Sequence, residues 1–183
     1  MTFEATPIPD LFVTRLEPIS DDRGFFSRAF CAEEFRERGL NPAIAQCSLS
    51  YNRKRGTLRG MHYQKAPAAE AKLVRCIRGS IFDVAVDLRP DSPAFLRWFA
   101  CDLSSANRLA MYVPEGCAHG FLSLEDDCEI FYLSSQRYAP ELADGFRYDD
   151  PVVGIRWPAS VAVISPKDVS WPPLAFSSTE TRK

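Results

Sequence analysis

The sequence predicts an all-β protein, folded as a sandwich or barrel with a few short helices. Short segments of strand-forming residues recur at roughly even spacing between Ala43 and Ser134. In the clearest of them, residues 81–89, alternate side chains point to opposite faces, as they do in a β-strand. Fourteen prolines, many of them between these segments or near the termini, fit the same fold class.

The predicted elements follow one another at short intervals along the chain. A first strand covers 12–16, a polar turn covers 21–24, and residues 25–30 are strand-like again. Residues 32–38 favour a helix that ends at Gly39, and residues 164–168 open a last helical turn. Arg78–Ser80 is predicted as a hairpin turn within a series of strands over 44–51, 57–64, 72–77, 81–89, 95–103, 109–113, 119–124 and 128–134.

The composition is typical of one globular domain. A chain of 183 residues is long enough to bury a hydrophobic core, and 46% hydrophobic with 25% charged residues argues against disorder. A net charge of −2 lacks the basic field of nucleic-acid-binding proteins. We find no repeat, linker or low-complexity segment, so we predict a single domain over residues 1–183.

Cysteine usage and the amino terminus predict the compartment. The six cysteines form no C-x-x-C pair, and several lie in apolar strand segments where a thiol packs as a small hydrophobe. The sequence shows no amino-terminal secretion signal and no apolar run long enough to cross a bilayer. We therefore expect a reduced, cytoplasmic protein with no membrane partner.

The chain has only two histidines, and both lie in strand-like segments marked by glycines. His62 follows Arg59 in the segment 56–64, which places an anion-binding group near a base that titrates around neutral pH. His119 lies in the segment Pro114-Glu115-Gly116-Cys117-Ala118-His119-Gly120-Phe121. A single histidine is more often a hydrogen-bonded structural residue, but two in such positions favour a chemical role.

The His119 segment resembles the second conserved motif of cupins, which are small β-barrels. Metal-dependent cupins also need an earlier His-x-His pair and a glutamate, and here the residue two places after His62 is Gln64. Two histidines cannot build the usual metal cluster. A metal-free barrel with acid–base chemistry fits the residues better than a metal-dependent oxygenase.

These segments together resemble the dTDP-4-dehydrorhamnose 3,5-epimerase family. The match runs in consistent order from about Leu11 to Leu174. The resemblance implies a jelly-roll barrel (a cupin-like double-stranded β-helix), a homodimer that shares strands at the active site, and no metal or organic cofactor. The segments that carry it are Arg23-Gly24-Phe25-Phe26, residues 57–64, Lys72-Leu73-Val74-Arg75, residues 82–89, residues 114–121, Asp149-Asp150-Pro151 and Ser165-Pro166-Lys167-Asp168.

The resemblance implies an isomerase that inverts C3, C5 or both in a nucleotide-diphosphate-linked 4-keto-6-deoxyhexose. By this resemblance His62 is the general base, Asp168 orients it, and Tyr132 is the acid on the opposite face of the sugar. Lys72 is the cation that stabilises the enolate intermediate. The substrate-binding positions implied by the family are Arg23, Phe26, Gln46, Arg59, Lys72, His119, Tyr138 and Lys167.

Three positions depart from the family pattern, and all three belong to the nucleotide end of the family's site. Arg28 stands where many members have glutamate, Gln46-Cys47-Ser48 replaces a Gln-x-Asn pair, and Ala143 replaces a glutamate, with Asp144 as a candidate substitute. The residues implied in proton transfer are unchanged. Two alternatives therefore stay open, a single-centre epimerase of a different nucleotide sugar and a non-catalytic barrel that binds sugar nucleotides.

Overall fold

The computed structural model of the protein describes residues 1–174, in which fourteen strands and two short helices confirm the all-β fold class. The helices are α1 (Ala32–Arg36) and α2 (Pro166–Ser170). The strands are β1 (Thr2–Ala5), β2 (Phe12–Arg15), β3 (Ile19–Asp21), β4 (Gly24–Phe26), β5 (Gln46–Asn52), β6 (Thr57–Gln64), β7 (Lys72–Arg78), β8 (Ser80–Asp87), β9 (Trp98–Ser104), β10 (Ala110–Val113), β11 (Cys117–Ser123), β12 (Cys128–Ser134), β13 (Ala143–Gly145) and β14 (Val163–Ile164).

The strands form two large sheets and one small hairpin. The first sheet has the order β1-β2-β10-β7-β12-β5, and the second has the order β13-β6-β11-β8-β9 with β14 added to β6. The strand pairs are antiparallel, except that β14 runs parallel to β6. From β5 to β8, and again from β10 to β13, the chain alternates between the two sheets. This alternation is the arrangement of the expected jelly-roll barrel.

The predicted hairpin at Arg78–Ser80 is wrong, because these residues connect the two sheets. β7 pairs with β10 and β12, whereas β8 pairs with β9 and β11. Gly79 has φ of 74° and packs against Cys128, so the residues make a sharp corner. A glycine-containing turn between two strands has the same local sequence whether the strands pair or separate.

The main hydrophobic core lies between the two sheets. It joins Val74 and Ile130 of the first sheet to Ile81, Ala85 and Phe121 of the second. Two further clusters cover the outer faces, one beneath α1 on the first sheet and one beneath residues 146–157 on the second. The space left open between the sheets is where polar side chains from both can meet.

Strand β8 alternates as predicted, although both of its faces are buried. Val84 and Val86 belong to the outer cluster, and the row that contains Asp83, Ala85 and Asp87 faces the barrel interior with no exposure at all. The carboxylates tolerate this burial because each has a partner. Asp87 binds Arg89, and Asp83 binds a histidine described below.

The neighbouring strands β6 and β11 bring the two histidines face to face. His62 and His119 are directly opposed in the register, which shifts between His119 and Phe121. At this irregularity a Cβ on Gly60 would lie 2.7 Å from the Cα atom of Gly120, so two glycines allow the backbones to approach closely. The two imidazoles therefore lie on adjacent strands at the same level of the barrel.

Candidate active site

Two adjoining cavities of about 370 and 540 Å³ lie between the sheets. Both are lined by Arg59, His62, Lys72 and Tyr132. Arg59 and His62 come from β6 in one sheet, and Lys72 and Tyr132 come from β7 and β12 in the other. The predicted base and the predicted acid therefore face a common space from opposite walls.

His62 is held by a carboxylate from the far end of the chain. Its Nε2 atom lies 2.6 Å from Oδ1 of Asp168, and the imidazole is 40% exposed whereas the carboxylate is 6% exposed. Ser165 caps α2 by accepting a hydrogen bond from the backbone N–H of Asp168 at 3.0 Å. Because Asp168 engages Nε2, the Nδ1 atom of the neutral imidazole is the one that can accept a proton.

The ionised form of Asp168 is favoured in the fold. Burial alone would raise the pKa of this carboxyl group, but hydrogen bonds from His62 and Ser165 and from the backbone of Gly60 lower it below its ordinary value. A carboxylate that stays charged near neutral pH keeps the imidazole N–H pointed at itself. It also stabilises the imidazolium that forms when His62 takes a proton.

His119 has its own carboxylate. Its Nε2 atom lies 2.7 Å from Oδ1 of Asp83, both side chains are buried, and His119 lines the smaller cavity. The Oδ2 atom of Asp83 has no hydrogen-bond partner among residues 1–174. Sequence reasoning did not identify Asp83. The feature that could have identified it is its position in β8, where Asp83 lies on the same face as the small, buried Ala85.

Lys72 is paired with Glu70, which sequence reasoning also did not identify. The Nζ atom of Lys72 lies 3.0 Å from Oε1 of Glu70, and both side chains are nearly buried. Arg59 is oriented by the Oδ1 atom of Asn52, which accepts a hydrogen bond from its Nε at 2.8 Å. Tyr132 lies on β12, which pairs with β7 so that Ser134 is opposite Lys72.

Three further predicted binding residues line the larger cavity. Gln46 accepts a hydrogen bond from the backbone N–H of Tyr138 at 2.9 Å, which fixes the backbone at an exposed aromatic ring. The Nζ atom of Lys167 lies 5.4 Å from the ring centre of Trp171. These groups line the larger cavity together with His62, and its volume of about 540 Å³ suits a nucleotide.

Asp144, the candidate substitute for the family's glutamate, is already engaged by the protein. Its Oδ2 atom accepts from Lys65 at 2.5 Å and from the hydroxyl of Tyr63 at 3.2 Å, and its Oδ1 atom accepts from the backbone N–H of Gly145 at 2.7 Å. Burial and the nearby Asp144 charge raise the pKa of Tyr63 to about 12. Asp144 lines the larger cavity beside Tyr63, and its oxygens are already bound by the protein's own groups.

Two predicted binding residues lie elsewhere in the chain. Arg23 and Phe26 belong to the β3–β4 hairpin, and neither lines the two cavities within residues 1–174. The side chain of Arg23 is 89% exposed and forms an ion pair with Asp21, while Phe26 is 75% exposed. The structure of a single chain therefore brings together nine of the eleven predicted site residues, which are Gln46, Arg59, His62, Lys72, His119, Tyr132, Tyr138, Lys167 and Asp168.

The cavity has the groups needed for proton transfer at a carbon beside a carbonyl. It offers a carboxylate-held imidazole, a phenol on the opposite wall and an ammonium that can stabilise an enolate oxygen. Within residues 1–174 no group of three or more His, Cys, Asp or Glu residues is arranged to hold a metal ion. In the same part of the chain, no helix has the length and apolar character required to cross a membrane.

Replacing Asp168 with asparagine should make the unfolding free energy less dependent on pH. The folded-state pKa of Asp168 is depressed, so its ionised form stabilises the protein above the unfolded pKa of about 3.9, and this contribution is lost as the pH falls through the folded value. Urea unfolding should therefore show a larger destabilisation at pH 7 than below pH 4. The same substitution in a His62→Ala background is the control, because the effect should shrink once the partner is gone. A loss of stability that is equal at all pH values would contradict this assignment.

Comparison with known proteins identifies the same family as the sequence motifs. A family model for dTDP-4-dehydrorhamnose 3,5-epimerase matches residues 5–175. A protein of that name from Methanothermobacter thermautotrophicus is 42% identical over 175 residues, which cover 94% of this chain and 94% of the relative. The crystal structure of dTDP-4-dehydrorhamnose 3,5-epimerase from Elizabethkingia anophelis superposes with a TM-score of 0.92 at 35% identity and covers 94% of this chain and 96% of that one.

Another solved structure similar to this chain is described as an epimerase that acts at a single carbon. The 3'-monoepimerase from Streptomyces bikiniensis, solved in complex with dTDP-quinovose, superposes with a TM-score of 0.84 at 34% identity. The match covers 92% of this chain and 85% of that chain. The same jelly roll thus occurs in proteins described as epimerases at two centres and at one.

Proposed function

The chain belongs to the dTDP-4-dehydrorhamnose 3,5-epimerase family, and we propose that it is an isomerase that epimerises a dTDP-linked 4-keto-6-deoxyhexose at C3 and C5 without a cofactor. The observation that carries the proposal is one cavity that holds the His62–Asp168 pair, Tyr132 and Lys72. These groups are the base, the acid and the cation that the reaction needs.

The proposed reaction has two proton transfers at each carbon. The C4 ketone acidifies the neighbouring carbon, and Nδ1 of His62 removes its proton. The electrons move onto the ketone oxygen, where the Lys72 ammonium stabilises the enolate. Tyr132 then delivers a proton to the other face of the same carbon, which inverts its configuration. Because His62 and Tyr132 stand on opposite sheets, the sugar ring fits between them.

The proposed nucleotide contacts use the cationic and aromatic groups of the larger cavity. Arg59 and Lys167 suit the diphosphate, since a guanidinium binds phosphate oxygens through paired hydrogen bonds and an ammonium binds them as a point charge. The exposed ring of Tyr138 suits stacking on the base. His119, held by Asp83, lies beside the sugar end as a hydrogen-bonding group.

We test this function by following hydrogen exchange. The protein is incubated in D₂O with dTDP-, CDP- and GDP-linked 4-keto-6-deoxyhexoses, and deuterium is read by NMR at C3 and C5. Uptake at both carbons of the dTDP sugar supports the proposal. Uptake at C3 alone supports a single-centre epimerase, as the similar Streptomyces bikiniensis enzyme is described to be. No uptake with any sugar would favour a non-catalytic binding barrel.

We further propose a cytoplasmic homodimer, and the outer face of the first sheet supports it. Ile77 on β7 is 45% exposed, and Phe131 on β12, next to the cavity residue Tyr132, is 37% exposed. An apolar groove of about 460 Å³ adjoins them, lined by Ala29, Phe30, Ile44, Leu73, Arg75, Ile77, Phe131 and Leu133. An apolar patch of this kind is typical of a protein interface. The six unbridged cysteines fit a reducing compartment.

The same dimer would give Arg23 and Phe26 a site. Both are exposed on the β3–β4 hairpin and, within residues 1–174, line neither of the two cavities, and both match substrate-binding positions of the family. A hairpin that crosses to a second copy could carry Arg23 to a diphosphate and Phe26 to a base. In this arrangement each cavity is completed by the arm of the other copy.

Mixing two inactive variants should restore activity if the hairpin crosses between copies. Neither a His62→Ala nor an Arg23→Ala homodimer has a complete site, whereas the mixed dimer has one unaltered site. Random coexpression should therefore recover about a quarter of the wild-type kcat/KM. Coexpression of His62→Ala with Tyr132→Phe is the control, because both residues line the cavity of the same chain. Each cavity of that mixed dimer carries one of the two changes, so no activity should return. Recovery with neither pair, together with a monomer in light scattering, would contradict the proposed assembly.

A further inference from the structure

Glu70 places a carboxylate inside the cavity, beside the cation proposed to stabilise the enolate. Its Oε1 atom lies 3.0 Å from Nζ of Lys72, and the two side chains are only 11% and 12% exposed. Glu70 lines the larger cavity together with His62, Lys72 and Tyr132. An acidic group in a cavity suited to a nucleotide diphosphate repels the negative charges of the ligand. Its presence there therefore needs another explanation.

The backbone on both sides of Glu70 is held by buried polar side chains. The Nε2 atom of Gln64 donates to the carbonyl oxygen of Ala68 at 2.9 Å. The backbone N–H of Ala71 donates to Oγ of Ser135 at 2.8 Å, and the carbonyl oxygen of Ala71 accepts from the N–H of Ser135 at 2.9 Å. Gln64 and Ser135 are buried. These contacts hold the segment 68–71 to the ends of β6 and β12, so the Glu70 carboxylate is preorganised.

A preorganised carboxylate solves the two problems of a nearly buried lysine. The ammonium is costly to remove from water without a counter-charge. Its four-carbon stem also has many rotamers, so an unpartnered Nζ would not stay in one place before the substrate arrives. A fixed acceptor at 3.0 Å supplies the counter-charge and selects one position of Nζ.

We propose that Glu70 is a positioning residue that holds the Lys72 ammonium where the ketone oxygen will lie, and that its charge weakens the binding of the nucleotide diphosphate. This inference rests on the proposed epimerase function. The first effect requires only a hydrogen-bond acceptor, whereas the second requires the negative charge. Glutamine keeps the acceptor and removes the charge, and alanine removes both.

The test compares Glu70→Ala and Glu70→Gln with wild type in steady-state epimerisation, in dTDP titration by calorimetry and in thermal unfolding. Glu70→Ala should lower kcat about 10- to 100-fold, since a small displacement of a catalytic group costs this much. Glu70→Gln should keep kcat within about threefold and should lower the Kd for dTDP by about two- to tenfold, because one repulsive charge is gone. Glu33→Gln, which removes a carboxylate from an exposed ion pair on α1, is the matched control and should match wild type in all three measurements.

Two results would overturn the inference. One is a Glu70→Ala enzyme whose kcat stays within about twofold of wild type. The other is a Glu70→Gln protein that binds dTDP no more tightly than Glu33→Gln does. The titration needs no turnover, so it decides the role of the charge even if the alanine variant does not fold. If the wild-type protein leaves every keto sugar unchanged, the proposed function fails separately, before any variant is compared.

Discussion

Purified His62→Ala should convert a dTDP-linked 4-keto-6-deoxyhexose about 10²- to 10⁴-fold more slowly than wild type. No other imidazole can replace it, because His119 is the only other histidine of the chain and is bound to Asp83. Deuterium uptake at C3 and C5 should fall by the same factor, since both carbons depend on one base. The measurement is kcat together with exchange, at saturating substrate.

The comparison variant for this experiment is His119→Ala. It removes the same group from the position directly opposite on β11, where the histidine is also paired with a carboxylate. A residue that binds the sugar without removing its proton should raise KM more than it lowers kcat. A His62→Ala enzyme with near wild-type turnover would eliminate the proposed base and with it the mechanism.

Replacing Tyr132 with phenylalanine should separate proton removal from inversion. The ring and its packing remain, but the wall opposite His62 loses its proton donor. We expect inverted product to form about 10²- to 10⁴-fold more slowly. Deuterium should still enter C3 and C5 with retained configuration, because His62 can remove a proton and return a deuteron from its own side.

Tyr148→Phe is the matched control for this experiment. It removes a hydroxyl from a tyrosine that packs against Trp157, outside the two cavities. Product should form at the wild-type rate. If Tyr132→Phe also yields inverted product at the wild-type rate, another group or water must protonate the second face.

Several strands could be predicted closely from local sequence. The predicted strands over residues 57–64 and 128–134 have the bounds of β6 and β12, because glycine or polar residues flank long runs of strand-forming residues there. β13 and β14 have three and two residues, too few for an alternating pattern to appear. Their pairing with β6 is a tertiary effect that no local window contains.

The candidate site shows a similar division. The histidines stood out because they are rare and lie beside glycines, but the approach of Asp168 to His62 spans 106 positions and was implied only by family resemblance. Asp83 and Glu70 were not identified, since an acidic residue is ordinarily solvated both in a strand-like segment, as at Asp83, and in the connection before one, as at Glu70. Their significance depends on which way β8 faces and on how the segment before β7 is held.

The contact between Gly60 and Gly120 has a consequence for any survey of tolerated substitutions. A Cβ on Gly120 would lie 2.8 Å from the carbonyl oxygen of Arg59 and 3.0 Å from the Cα atom of Gly60, so even a methyl group must displace β6 from β11. Saturation mutagenesis scored by turnover would rank these two glycines with the reactive side chains, although neither has a functional group. Scoring the same library by resistance to proteolysis would distinguish the glycines from the reactive side chains. Loss of a proton donor leaves the barrel folded, whereas a side chain at either glycine separates β6 from β11 and exposes the backbone to the protease.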